Sequence, residues 1–190
     1  MLLVTIGRMI MQSKATPIPT HNSFKPSKEK AMPHSLIAKI FHWGVMFFFI
    51  YALTKQVGDV TDLEDSSLLQ YEMVFASIFL LLLAARYFYM QKTRPTSLPK
   101  NTPELLAYIA RCGHLAMYAS LAAIPATGIF IGTLYWSGIK SGIYMDIAIV
   151  LHEGAIGASF FTIAIHVAAA WYHRRMRDGV WDAMVPIIKE

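Results

Sequence analysis

The sequence predicts an all-α membrane protein folded as an antiparallel four-helix transmembrane bundle. Three observations carry that expectation. The 190 residues are 55% hydrophobic and only 15% charged, where a soluble domain carries about a quarter charged residues. The apolar residues are gathered into four blocks, each close to or above the roughly 20 residues needed to cross a bilayer. Lysine and arginine sit mainly at the ends of those blocks.

The first block spans 36–53 (LIAKIFHWGVMFFFIYAL) and the second 68–89 (LLQYEMVFASIFLLLLAARYFY). The third spans 105–134, with Pro125 and Gly128 as soft interruptions, and the fourth spans 143–172. Blocks of this length in lipid are helices, because only a helix satisfies its own backbone groups there. The last two exceed the minimum and are expected to tilt or protrude. Lys25, Lys28, Lys30 and Lys39 precede or open the first block. Lys92, Arg94, Lys100 and Arg111 surround the second connection, and Arg174, Arg175, Arg177 and Lys189 follow the fourth block. The first connection instead carries Asp59, Asp62, Glu64 and Asp65 against Lys55. The positive-inside rule then puts both termini and the second connection in the cytoplasm. The first and third connections face outward. The expected location is a bacterial inner membrane, crossed several times.

Residues 1–34 read as an N-terminal cytoplasmic extension and 181–190 as a C-terminal tail. The 1–11 stretch is apolar but too short to span. Its weak charge pattern and the absence of a small-residue cleavage site argue against a signal peptide. Residues 13–30 are polar and contain proline, as loose segments are. Such a stretch is ordered only when tied down, so docking on a partner subunit is the expectation.

Composition also excludes several chemistries. One cysteine, Cys112, leaves no internal disulfide, no Cys-x-x-Cys-His haem attachment and no cysteine-held iron–sulfur cluster. The net charge of +5 does not point to nucleic acid, because the basic residues flank spans instead of forming a separate basic domain. No nucleophile–base pair, phosphate loop or metal-hydrolase motif occurs. A transporter or channel is disfavoured by the lack of a carboxylate-lined path.

Histidine is the informative residue. His152 and His166 lie fourteen residues apart in the fourth block, about 21 Å of rise and about 40° of angular offset. They share one face of one helix at two depths. His42 opens the first block beside Trp43, at the depth of His166. Ionisable residues inside a membrane are costly and mark functional sites. Imidazole is a standard axial ligand of haem, so His42 and His166 can clamp one iron from both sides, with His152 four turns away at a second site. A single intramembrane histidine is equally a helix–helix hydrogen-bonding residue; three in register are less easily explained that way. Metal binding without haem lacks any carboxylate or cysteine cluster at the same depth. Gly154, Ala155, Gly157 and Ala158 lie between the two histidines in sequence, where small side chains permit close packing or leave room for a flat macrocycle.

The segments IFHWG, RCGHLAMY, LHEGAIGASFFTIAIH and AAAWYH resemble those of the bacterial cytochrome b561 family, four-helix membrane cytochromes related to the cytochrome b subunits of nickel hydrogenases. The resemblance covers roughly 35–180, which would make that stretch the cytochrome b domain. It implies two b haems: one on His42 and His166, the other on His152 and a histidine near the outer start of the second helix. That second-helix histidine is missing. Counting back from Arg86, a position that matches a common arginine of the family, its place is taken by Glu72, next to Gln70, Tyr71 and Met73. Three outcomes follow: no outer haem, a five-coordinate one on His152, or an unusual second ligand from Met73 or Glu72. One inner haem b is the expectation, with the outer one in question.

His114 and Arg111 open the third helix, in a region that the resemblance places near haem propionates or quinone. An arginine fork suits a carboxylate, although a snorkelling arginine beside a capping histidine reads the same way. His173 follows Trp171 and Tyr172, an aromatic belt that explains itself. His21 and His34 fall in the polar extension and carry no expectation. Glu153 is either a proton relay or an interfacial carboxylate, and the eleven methionines read as packing residues. The expected function is electron transfer between quinone or quinol and a redox partner. The alternative is an accessory or structural subunit of a respiratory or dehydrogenase complex, with its haem chain partly lost.

Overall fold

The computed structural model describes residues 31, 33–55, 57–93, 97–99, 102–186 and 188–189. The expectations placed on residues 1–30, including docking on a partner, lie outside them. Each apolar block becomes one helix: α1 Leu36–Thr54, α2 Ser66–Thr93, α3 Glu104–Trp136 and α4 Ile143–Met176. A short 3-10 turn, Val60–Glu64, precedes α2, and a short helix α5, Val180–Met184, follows α4. No strand occurs among the described residues. All four long helices are apolar and long enough to cross a membrane.

Each helix outruns its apolar block by a few residues, because local capping chemistry ends a helix and hydropathy does not. The Ser35 hydroxyl accepts from the Ala38 amide at 3.2 Å to start α1, the usual N-cap bond. Asp65 Oδ1 accepts from the Ser67 amide at 2.8 Å and the Leu68 amide at 3.4 Å to start α2. Before it, Asp59 Oδ1 accepts from the Thr61 amide at 2.8 Å and Asp62 Oδ2 from the Asp59 amide at 3.1 Å. Pro125 lies within α3 without ending it. The soft interruption expected there is absorbed by a buried, continuous helix.

Packing follows chain order: α1 on α2, α2 on α3, α3 on α4. The third helix is therefore central, and it buries the most residues. One core joins Val45 and Phe49 of α1, Phe79 and Leu83 of α2, and Met117 and Leu121 of α3. A second joins Leu63, Ile131, Tyr135, Met145 and Ala148 at the other end. Phe48 stacks on Phe75 and Phe79 at 4.6 and 5.4 Å. Much of the remaining apolar surface faces outward, as a lipid-covered bundle requires.

The two ends are held differently. At one, Lys140 Nζ meets Glu64 Oε1 at 3.2 Å, joining the first and third connections, and Tyr51 bonds Tyr71 at 2.9 Å. At the other, Ser35 bonds Tyr89 at 2.8 Å, and α5 folds back on α1. There Trp43 Nε1 donates to the Met184 carbonyl at 3.3 Å and Lys39 Nζ to the Asp182 carbonyl at 3.4 Å. The approach to α1 is fixed too, by bonds from the Ala31 and His34 amides to the carbonyls of Asp178 and Ala183. His34, for which the sequence raised no expectation, is buried at 8% exposure. By contrast α1 and α4 do not pack closely along their lengths, and a few side chains meet across the gap between them.

Candidate functional site

Across that gap the imidazoles of His42 and His166 face each other, ring centroids 6.2 Å apart and planes inclined by 52°. His114 of α3 joins them, its centroid 5.5 Å from that of His166. Arg86 of α2 completes the group, with Nη2 3.0 Å from His42 Nδ1. All four membrane helices thus contribute one residue at one depth. Trp43 stands edge-on to His42 at 6.2 Å.

Arg86 is only 6% exposed, and its guanidinium carbon lies 5.0 Å from the Tyr118 ring centre. Its Nε has no hydrogen-bond partner among the described residues. No carboxylate among the described residues pairs with it. A buried cation with neutral neighbours and an idle donor is costly unless an anion completes it. Sequence reasoning used Arg86 only to count back to Glu72. The signal for a larger role was available, since one arginine interrupts the otherwise apolar LLLLAARYFY.

Arg111, also expected here, lies three positions before His114 on α3. Its side chain is exposed, and no described residue ion-pairs with it. His173 stands apart from the cluster, bonded to Asp178 Oδ2 at 2.6 Å near the end of α4.

His152 occupies the other end of α4, on the wall of a cavity of about 390 Å³ that Glu72, Met73 and Glu153 also line. The structure thus gathers the residues in question around one cavity. Among the described residues, His152 is the only histidine lining that cavity. Its Nδ1 lies 2.9 Å from Thr127 Oγ1. That hydroxyl already donates to the carbonyls of Ala123 or Ile124, at 2.6 and 3.0 Å, so it accepts from His152. The proton is thereby assigned to Nδ1 and the lone pair to Nε2. Met73 packs its sulfur into the notch left by Gly132 of α3, where even a Cβ would collide with it.

The small residues between the two histidines divide differently from the expectation. Ala155 and Ser159 are buried, while Gly154 and Gly157 are exposed with open space beside them. At about 100° per residue, Ala155, Ser159 and Thr162 share the histidine face and the two glycines oppose it. The glycines therefore neither pack helices nor make room between the histidines.

The family profile for prokaryotic cytochrome b561 matches residues 33–186, which include all four membrane helices and α5. No curated protein and no solved structure matches the chain. On the profile, the four apolar helices and the histidines aligned between them, the chain belongs to the prokaryotic cytochrome b561 family, membrane proteins that transfer electrons through b-type haem.

Proposed function

We propose that the protein moves electrons between quinol or quinone and a second redox partner through one b haem held between α1 and α4, with His42 and His166 as axial ligands. The ring separation of 6.2 Å carries this reading. One first-row metal ion about 2 Å from a nitrogen of each ring sets the centroids about 6 Å apart. Two imidazoles would hold the iron, a ligand set that favours electron transfer over oxygen binding. The haem supplies the one-electron chemistry; the protein sets its orientation, potential and access.

The chain's own residues must adjust to hold it. Arginine has donors only, so His42 Nδ1 accepts from Arg86 and its proton rests on Nε2. A neutral imidazole that binds iron through Nε2 carries its proton on Nδ1. If His42 held the iron through Nε2, its proton would rest on Nδ1 and Arg86 would be free, with a fork that suits a carboxylate such as a haem propionate. Arg111, one turn from His114, is the second propionate candidate. His114, beside the ligand pair, is placed to touch haem edge or quinone.

The outer cavity fits a second haem less well. It offers one imidazole, with Glu72 and Met73 in place of another. We infer one haem per chain, and both termini on the cytoplasmic side from the distribution of Lys and Arg. Glu72 also favours a second reading, an accessory subunit of a larger respiratory or dehydrogenase complex that has lost part of its haem chain.

Addition of a short-chain quinol to the oxidised, purified protein separates the two. Reduction of a b-type α band in the wild type, absent from His42→Ala, supports electron transfer. An α band that no quinol reduces, in a chain that copurifies with a larger complex, supports the accessory role.

A further inference from the structure

The fourth helix ends in like charges that no carboxylate among the described residues neutralises. Arg174, Arg175 and Arg177 close α4, and Lys189 meets them around a cavity of about 440 Å³ also lined by Trp171. A bond outside the cluster helps bring Lys189 there: Trp181 Nε1 donates to the Ile188 carbonyl at 3.0 Å, and Ile188 adopts a left-handed φ of 53°. Arg174 lies over both Trp171 and Trp181, at 5.3 and 5.0 Å, and Arg175 over Trp171 at 5.7 Å. Stacking on the indoles orients the guanidinium planes. The nearby carboxylate of Asp178 is committed to His173 and to the Val180 amide.

Two ordinary causes account for part of this. Cations favour the C-terminal end of a helix dipole, and basic residues flank spans for topology. Neither explains why a lysine from the tail converges on three arginines around one cavity, where like charges repel. An anion in the cavity does.

We propose that this cavity binds the headgroup of an anionic phospholipid, its phosphate seated among Arg174, Arg175, Arg177 and Lys189. A lipid fits better than a free ion because the site lies at the end of a membrane helix. Trp171 and Val167, one and two turns before Arg175 on the same face, are 49% and 58% exposed and offer an apolar track for an acyl chain. Anionic lipid headgroups are drawn to basic pockets of this kind. The proposal does not depend on the haem assignment.

Binding of pyrene-labelled phosphatidylglycerol from detergent micelles to the full-length protein tests it, read by energy transfer from tryptophan against the phosphatidylcholine analogue. The expected preference for phosphatidylglycerol is at least about tenfold. It falls as salt is raised, a measurement that needs no variant. It also disappears in Arg174→Gln/Arg175→Gln/Lys189→Gln and withstands millimolar inorganic phosphate. Equal affinity for the two lipids, a preference insensitive to salt, or undiminished binding by the variant overturns the proposal. Displacement by inorganic phosphate overturns it in favour of a free-anion site.

Discussion

Arg86 of α2 donates to His42 Nδ1 across 3.0 Å, and its Nε is left without a partner among the described residues. A fixed positive charge so close to the proposed iron stabilises its ferrous form. Removing it by Arg86→Gln is expected to lower the midpoint potential by tens of millivolts, the order given by a unit charge several ångströms away at an effective dielectric near 20. Redox titration of the α band measures this. An unchanged potential would show that Arg86 acts on packing alone.

Ser159 is fully buried between the two histidines of α4, with no partner for its hydroxyl among the described residues. A buried hydroxyl left unpaired costs about 1–3 kcal/mol, and alanine fits the same face. Ser159→Ala is therefore expected to stabilise the protein, by about 1 kcal/mol once the lost contacts are counted. Thermal unfolding in detergent shows the sign; a lower Tm would reveal a bond that forms in the membrane.

Gly132 and Met73 form a steric pair. A Cβ on Gly132 displaces the Met73 sulfur, and overpacking of this kind costs about 1–3 kcal/mol. Gly132→Ala is expected to destabilise the half of the bundle around His152, and Met73→Ala in the same chain to recover most of that loss. A double-mutant cycle reads the coupling. Additive effects would mean that the methionine turns away without cost.

Hydrogen bonds from the Ser67 side chain and amide hold the Asp65 carboxyl below its ordinary range. A carboxyl depressed in the folded state adds stability that is complete above its unfolded value and lost as pH falls through the folded one. Asp65→Ala should therefore lower Tm at pH 6, and the difference from wild type should shrink as the pH drops below the usual carboxylate range. A gap that stays constant down to pH 2 would place the effect in packing instead of charge.

The four spans were legible because a bilayer demands long apolar blocks, and each block folds into one helix. The shared face of His152 and His166 follows from helical period alone. The company that His42 and His166 keep was less so. His114 approaches because α3 is central, a packing outcome that periodicity does not encode. Arg86 matches a common arginine of the family in sequence, but its burial beside a histidine is again a packing outcome. Gly154 and Gly157 misled because they are close in sequence to the histidine face but point the other way.

The account rests on haem gripped between α1 and α4. Its most direct test is haem content per polypeptide, with the reduced-minus-oxidised spectrum, for protein purified from haem-replete cells. We expect one b haem per chain, lost in His42→Ala and in His166→Ala and kept in His114→Ala and His152→Ala. Full haem content in His42→Ala would contradict the central claim.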